Sequence, residues 1–103
     1  MFIAMNRFEI SLGAEEGFEA VWRERDSNLS EVPGFQHFAL LRGSRKDDHT
    51  LYVSHSVWES KGAFDAWTES DNFRRAHGQA SAPKGTYLGR PNLETFEAVL
   101  EEG

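Results

Sequence analysis

The chain contains no cysteine. That removes disulfides, thiolate zinc sites and cysteine nucleophiles together, and it suits a reducing compartment, so the cytoplasm is the expected location. Basic residues are in the minority, with 11 Lys and Arg against 17 Asp and Glu and a formal net charge of −6. They are scattered rather than striped, a phosphate backbone would be repelled on average, and no nucleic-acid partner is expected. A long apolar run is also missing. The chain passes directly from Met1 into strand-like sequence, without a basic leader or an apolar stretch of about 7–15 residues. Neither a signal peptide nor a membrane span is therefore expected. The length of 103 residues allows one core but not separate cofactor and substrate domains, so residues 1–103 are read as a single domain.

What is present is a succession of short periodic segments. "MFIAMNRFEISL" alternates, with Phe2, Ala4, Phe8 and Ile10 on one side and Ile3 and Met5 on the other, the pattern of a strand partly covered on both faces. "AEEGFEAVWRER" then spaces Phe18, Val21 and Trp22 as on a helix ending near Asp26, with glutamates at its start, where they suit the helix dipole. "GFQHFALLRG" and "LYVSHSVW" are rich in aromatic and β-branched residues and predict a hairpin around the polar "SRKDDH". Ser60 is placed to cap a helix over "KGAFDAW" and Ser70 a second over "DNFRRAH", so a break near Glu69 is expected. Residues 78–91 carry loop composition, three Gly and two Pro, and "NLETFEAVL" predicts a last strand. The order is βαββαβ, an α+β ferredoxin-like unit with a four-stranded antiparallel sheet carrying both helices on one face. The other face, apolar in part, predicts a homodimer with two sheets face to face, a dimeric α+β barrel.

Several polar residues sit oddly in these patterns. His77 ends an apolar stripe begun by Phe73, beside the Gly- and Pro-rich loop where a ligand could enter. Taken alone, a helix histidine is ordinarily a solvated group bonded to a carboxylate. With no cysteine and no obvious second ligand it makes a poor zinc site, whereas haem iron needs a single histidine. Asn6 falls in phase with Phe2, Ala4, Phe8 and Ile10. Asn is depleted in strands, and a buried amide must either find a backbone partner or aim into a pocket. Trp67, with Phe64 one turn earlier, reads by itself as core. His37 and His55 are expected on the strand face of Phe35, Ala39, Val53 and Val57, as satisfied polar residues of the sheet or dimer interface. His49 is expected to be solvated in the hairpin loop.

Taken together, "MFIAMNRF", "EVPGF", "VWESKGAFDAW" and "NFRRAH" resemble the IsdG-type haem-degrading monooxygenases, HmuQ-like branch, of the antibiotic-biosynthesis-monooxygenase fold. The resemblance spans nearly the whole chain. It rests on an Asn in the first strand, a Trp in the second helical region and a His ten residues later, here Asn6, Trp67 and His77. It implies that His77 is the axial ligand of haem iron, that Asn6 donates its amide N–H towards dioxygen, and that Trp67 presses on the macrocycle and distorts it. Phe64 and Phe73 would lie along the same haem, and Arg74, Lys84 and Arg90 are candidates to meet its propionates. Haem would be both substrate and oxygen-activating cofactor, with dioxygen as co-substrate and an external reductase as electron donor. In one straight helix, residues 67 and 77 would stand about 15 Å and about 80° apart, which gives the break near Ser70 a purpose. Two other readings stay open: a haem carrier or sensor that does no chemistry, and a cofactor-independent quinol or anthrone monooxygenase in which His77 is a general base.

Overall fold

The structure, a computed structural model, describes residues 1–25, 28–71, 73 and 82–103. In chain order it contains β1 (Phe2–Ser11), α1 (Glu15–Glu24), a short 3-10 turn at Leu29–Glu31, β2 (Phe35–Arg45), β3 (His49–Trp58), α2 (Lys61–Thr68) and β4 (Asn92–Glu97). The strands form one sheet in the order β2-β3-β1-β4, and each neighbouring pair is antiparallel. This is the ferredoxin-like arrangement that the βαββαβ pattern predicts. Among the described residues, no helix is long and apolar enough to cross a membrane.

Both helices lie on the face of β1 that carries Phe2, Ala4, Phe8 and Ile10, all of them buried. Two apolar clusters result. Under α2 and the 3-10 turn, Phe2, Ala4, Leu29, Val32, Trp58, Phe64 and Trp67 pack together. Under α1, Phe8, Ile10, Phe18 and Tyr52 form the second. The two clusters meet β1 on either side of Asn6, so the seam between them crosses the sheet at the one polar residue of that face of β1.

Local chemistry sets the helix ends. Gly13 N–H donates to Glu15 Oε1 at 2.8 Å, and Glu15 and Glu16 occupy the first turn of α1, where negative charge offsets the helix dipole. The hydroxyl of Ser60 accepts from Ala63 N–H at 3.2 Å, capping α2. The hydroxyl of Ser70 donates to the Trp67 carbonyl at 2.6 Å and accepts from Phe73 N–H at 3.2 Å. The chain breaks there and restarts, with Asp71 and Phe73 helical again. Beyond it, Ser11 N–H donates to Thr86 O and Leu88 N–H to Glu9 O, so the later part of the loop extends the sheet edge past β4.

Two expectations about histidines need correction. A bulge between Phe35 and His37 shifts the β2 register, and an extra residue in one strand inverts which side chains share a face. Phe35 therefore turns to the helix side, its ring 5.5 Å from that of Trp58. His37 and His55 stay on the open face, opposite Val57 and Ala39 respectively, as diagonal rather than direct neighbours. His49 is not solvated. It opens β3 with its side chain 15% exposed, 2.7 Å from Asp48 and 3.3 Å from Glu9.

Candidate functional site

A cavity of about 140 Å³ opens at the seam between the two clusters. Its floor is the sheet, with Ala4 and Asn6 from β1, Ser54 and Ser56 from β3, and Phe38 from β2. Trp22 approaches from α1 and Arg25 from the residue that follows it, Leu29 from the 3-10 turn, and Phe64, Trp67 and Thr68 from α2. Phe73 and Leu93 complete the described lining. Four residues singled out in the sequence, Asn6, Phe64, Trp67 and Phe73, thus converge on one space although they lie far apart along the chain. His77 and Arg74 lie outside the described residues. Lys84 and Arg90 are exposed and do not line the cavity.

The walls are aromatic and mutually braced. The Trp67 ring lies 5.2 Å from that of Trp58 and meets Phe73 edge-on at 4.8 Å. The break at Ser70 produces this contact, because it folds Phe73 back over the end of α2. Across the cavity Trp22 stacks on Phe38, 5.8 Å apart with the planes at 11°. Such a lining excludes water and offers flat surfaces to a flat ligand.

The polar groups are few and placed with purpose. Asn6 pairs across the sheet with Ser54 on one side and Leu93 on the other. Its Oδ1 is buried and has no hydrogen-bond partner among the described residues, so the acceptor end of the amide is shut in. Arg25 lays its guanidinium 4.3 Å from the centre of the Trp22 ring and 5.0 Å from that of Phe38. Burial pulls its pKa below the usual arginine value, and it forms no ion pair among the described residues. A guanidinium held on aromatic faces at the edge of an apolar space suits a carboxylate of the ligand. The sequence gives no hint of this placement: Arg25 lies within the charged run Arg23–Asp26, and only the folding of α1 over β2 sets it against the ring of Phe38 as well as that of Trp22.

An outer groove of about 550 Å³ shares the Trp22–Phe38 wall and is lined further by Glu19, Arg23, Leu40, Arg42 and Tyr52. Here the Tyr52 hydroxyl donates to Glu19, which also receives Arg23 at 2.9 Å and Arg42 at 2.8 Å. The Tyr52 hydrogen bond, followed by the arginines, holds the Glu19 carboxyl below the usual carboxylate value. Burial and the same bond push Tyr52 up to about 12. These groups are spent on one another.

Residues 1–79 match the family model described as antibiotic biosynthesis monooxygenase. A haem oxygenase (mycobilin-producing) from Mycobacterium tuberculosis is 33% identical over 101 residues, covering 98% of this chain and 91% of that protein. The structure of the haem degrader MhuD from the same organism, with two haems bound in its active site, matches with a TM-score of 0.75 at 29% identity and covers 100% of both chains. SnoaB from Streptomyces nogalater, a cofactor-independent oxygenase, matches with a TM-score of 0.70 at 24% identity, over 97% of this chain and 94% of that one. At that identity it speaks for the fold alone.

Proposed function

The chain belongs to the antibiotic biosynthesis monooxygenase family, and on that premise we propose that it is a haem-degrading monooxygenase that opens the porphyrin to a linear tetrapyrrole and releases iron. The observation that carries this reading is the convergence of Asn6, Phe64, Trp67 and Phe73 on one aromatic cavity, in a chain whose relative at 33% identity is a haem oxygenase. Haem, once bound, supplies both the macrocycle to be opened and the iron that activates dioxygen.

The chain's own groups then have separate tasks. His77 would hold the iron of a bound haem. Asn6, its acceptor end enclosed, presents its amide N–H to the oxygen side of the site as an oriented donor. Trp67, braced by Trp58 and Phe73, would yield little and would press its shape on a bound macrocycle. Arg25 holds a propionate carboxylate, a part for which the sequence suggests Arg74, Lys84 and Arg90. At about 140 Å³ the cavity among the described residues is smaller than the roughly 300–1,000 Å³ of ligand clefts in general. Electrons are assigned to a separate reductase, because 103 residues fold as one small domain with a single site. The working form is a cytoplasmic homodimer joined through the open sheet face.

The test is titration of the purified protein with haemin, followed by reductant in air. A Soret band should form and then decay, and His77→Ala should abolish the coordinated spectrum. A band that forms and persists would indicate a carrier or sensor, and no band at all a cofactor-independent oxygenase.

A further inference from the structure

We propose that Ser54 is the positioning residue for Asn6: its hydroxyl, unbonded among the described residues, turns onto Asn6 Oδ1, which is buried without a partner there, and so fixes which end of the amide faces the cavity. An asparagine amide can turn over and exchange donor for acceptor at little cost unless a neighbour distinguishes the two ends. In the sheet row that contains Asn6, the cross-strand neighbours are Ser54 of β3, then Leu40 of β2, with Leu93 of β4 on the other side. Ser54 is therefore the only polar neighbour of Asn6 in that row among the described residues. Directly paired residues of an antiparallel sheet have Cβ atoms roughly 4.5–5.5 Å apart, within reach of a hydroxyl and a carboxamide that turn towards each other.

The two residues also share a cavity, since both Ser54 and Asn6 line it. The need is on the Asn6 side, because its Oδ1 is buried without a partner among the described residues, and a buried acceptor left unmade is costly. The other serine hydroxyl that lines the cavity is already engaged. Ser56, one row away, accepts from Trp58 Nε1 at 2.9 Å and donates to the Ala4 carbonyl at 3.3 Å. Among the described residues Ser54 forms no side-chain hydrogen bond of its own, so its hydroxyl is available. Turning it onto Oδ1 satisfies the buried acceptor and leaves Nδ2, the donor, pointing into the cavity.

This assignment rests on the haem-degrading reading for its effect on turnover, but not for its effect on the amide. The experiment compares wild type, Ser54→Ala and Ser54→Thr. In the ligand-free protein, the Asn6 carboxamide carbon and nitrogen resonances should shift in Ser54→Ala and return in Ser54→Thr, while those of Asn92 stay fixed. With haemin bound, single-turnover decay should slow roughly tenfold to a hundredfold in Ser54→Ala, the scale of a misplaced catalytic group, with haemin affinity unchanged and with recovery in Ser54→Thr. In an Asn6→Ala background, Ser54→Ala should add nothing. Unmoved Asn6 resonances overturn the proposal whether or not haem is the substrate, and so does normal decay in a Ser54→Ala protein that degrades haem.

Discussion

Trp67 carries two demands on a single indole. It is 8% exposed and belongs to the α2 cluster, yet it is also a wall of the cavity. Truncation to alanine merges the vacated volume with the existing cavity and should cost about 3–5 kcal/mol, read as a lower denaturation midpoint of the ligand-free protein. If the ring also shapes the substrate, decay per folded molecule should fall in Trp67→Ala and partly survive in Trp67→Phe; normal decay per folded Trp67→Ala molecule would leave it a core residue only. Glu19 makes a different prediction. Its folded pKa lies below the unfolded value, chiefly because Tyr52 donates to it, so the unfolded chain takes up the proton first as pH falls. The stability it contributes is whole above the unfolded carboxyl value of about 4.3 and is lost as pH falls through the lower folded value. Glu19→Gln should be less stable than wild type at pH 7 and should show a flatter decline in that acid window, measured by denaturant unfolding across pH.

Among the elements, α2 is seated by a single glycine. Gly34 has φ +82 and lies so close to the helix that an added Cβ would stand 2.4 Å from Ala63 Cβ, while its carbonyl accepts from Glu59 N–H at 2.8 Å. Gly34→Ala combines a strained backbone with overpacking and should cost about 1–3 kcal/mol, with a lower melting temperature and a shifted Trp67 environment. That "EVPGF" belongs to the family pattern is thereby given a physical meaning. The strands, both serine caps and the break near Ser70 are legible in the sequence because each rests on residues a few positions apart. The β2 bulge is not, because strict alternation assumes one residue per pleat; Phe35 and His37 therefore fall on opposite faces although their spacing of two predicts one. The same boundary divides the site. Asn6 announces itself as a polar residue in an apolar phase, whereas Arg25 needs α1 laid over β2, and Ser54 needs the strand register.

For the molecule as a whole, the sheet face away from the helices is the surface that the proposed dimer would bury. Ile3, Met5, Val53 and Val57 are only half-buried there, and Leu41 and Phe96 are exposed at 45% and 47%. A second copy would cover the face, as the dimeric reading requires. Val57→Glu places a charge on this face, opposite Ile3 and His37, and should give a monomer by analytical ultracentrifugation with the far-ultraviolet circular dichroism spectrum unchanged. A wild type that is already monomeric at micromolar concentration would contradict the prediction.

The aromatic lining has an optical consequence. The chain has three tryptophans; Trp22 and Trp67 line the cavity, and Trp58 lies one ring contact behind Trp67. All the indole emission of the protein therefore arises at the cavity or one ring away from it. An occupant that absorbs in the near ultraviolet darkens all three emitters together, whereas one confined to the outer groove reaches Trp22 first. Intrinsic fluorescence, with no label attached, thus becomes a gauge of where along the Trp22–Phe38 wall a bound molecule has come to rest.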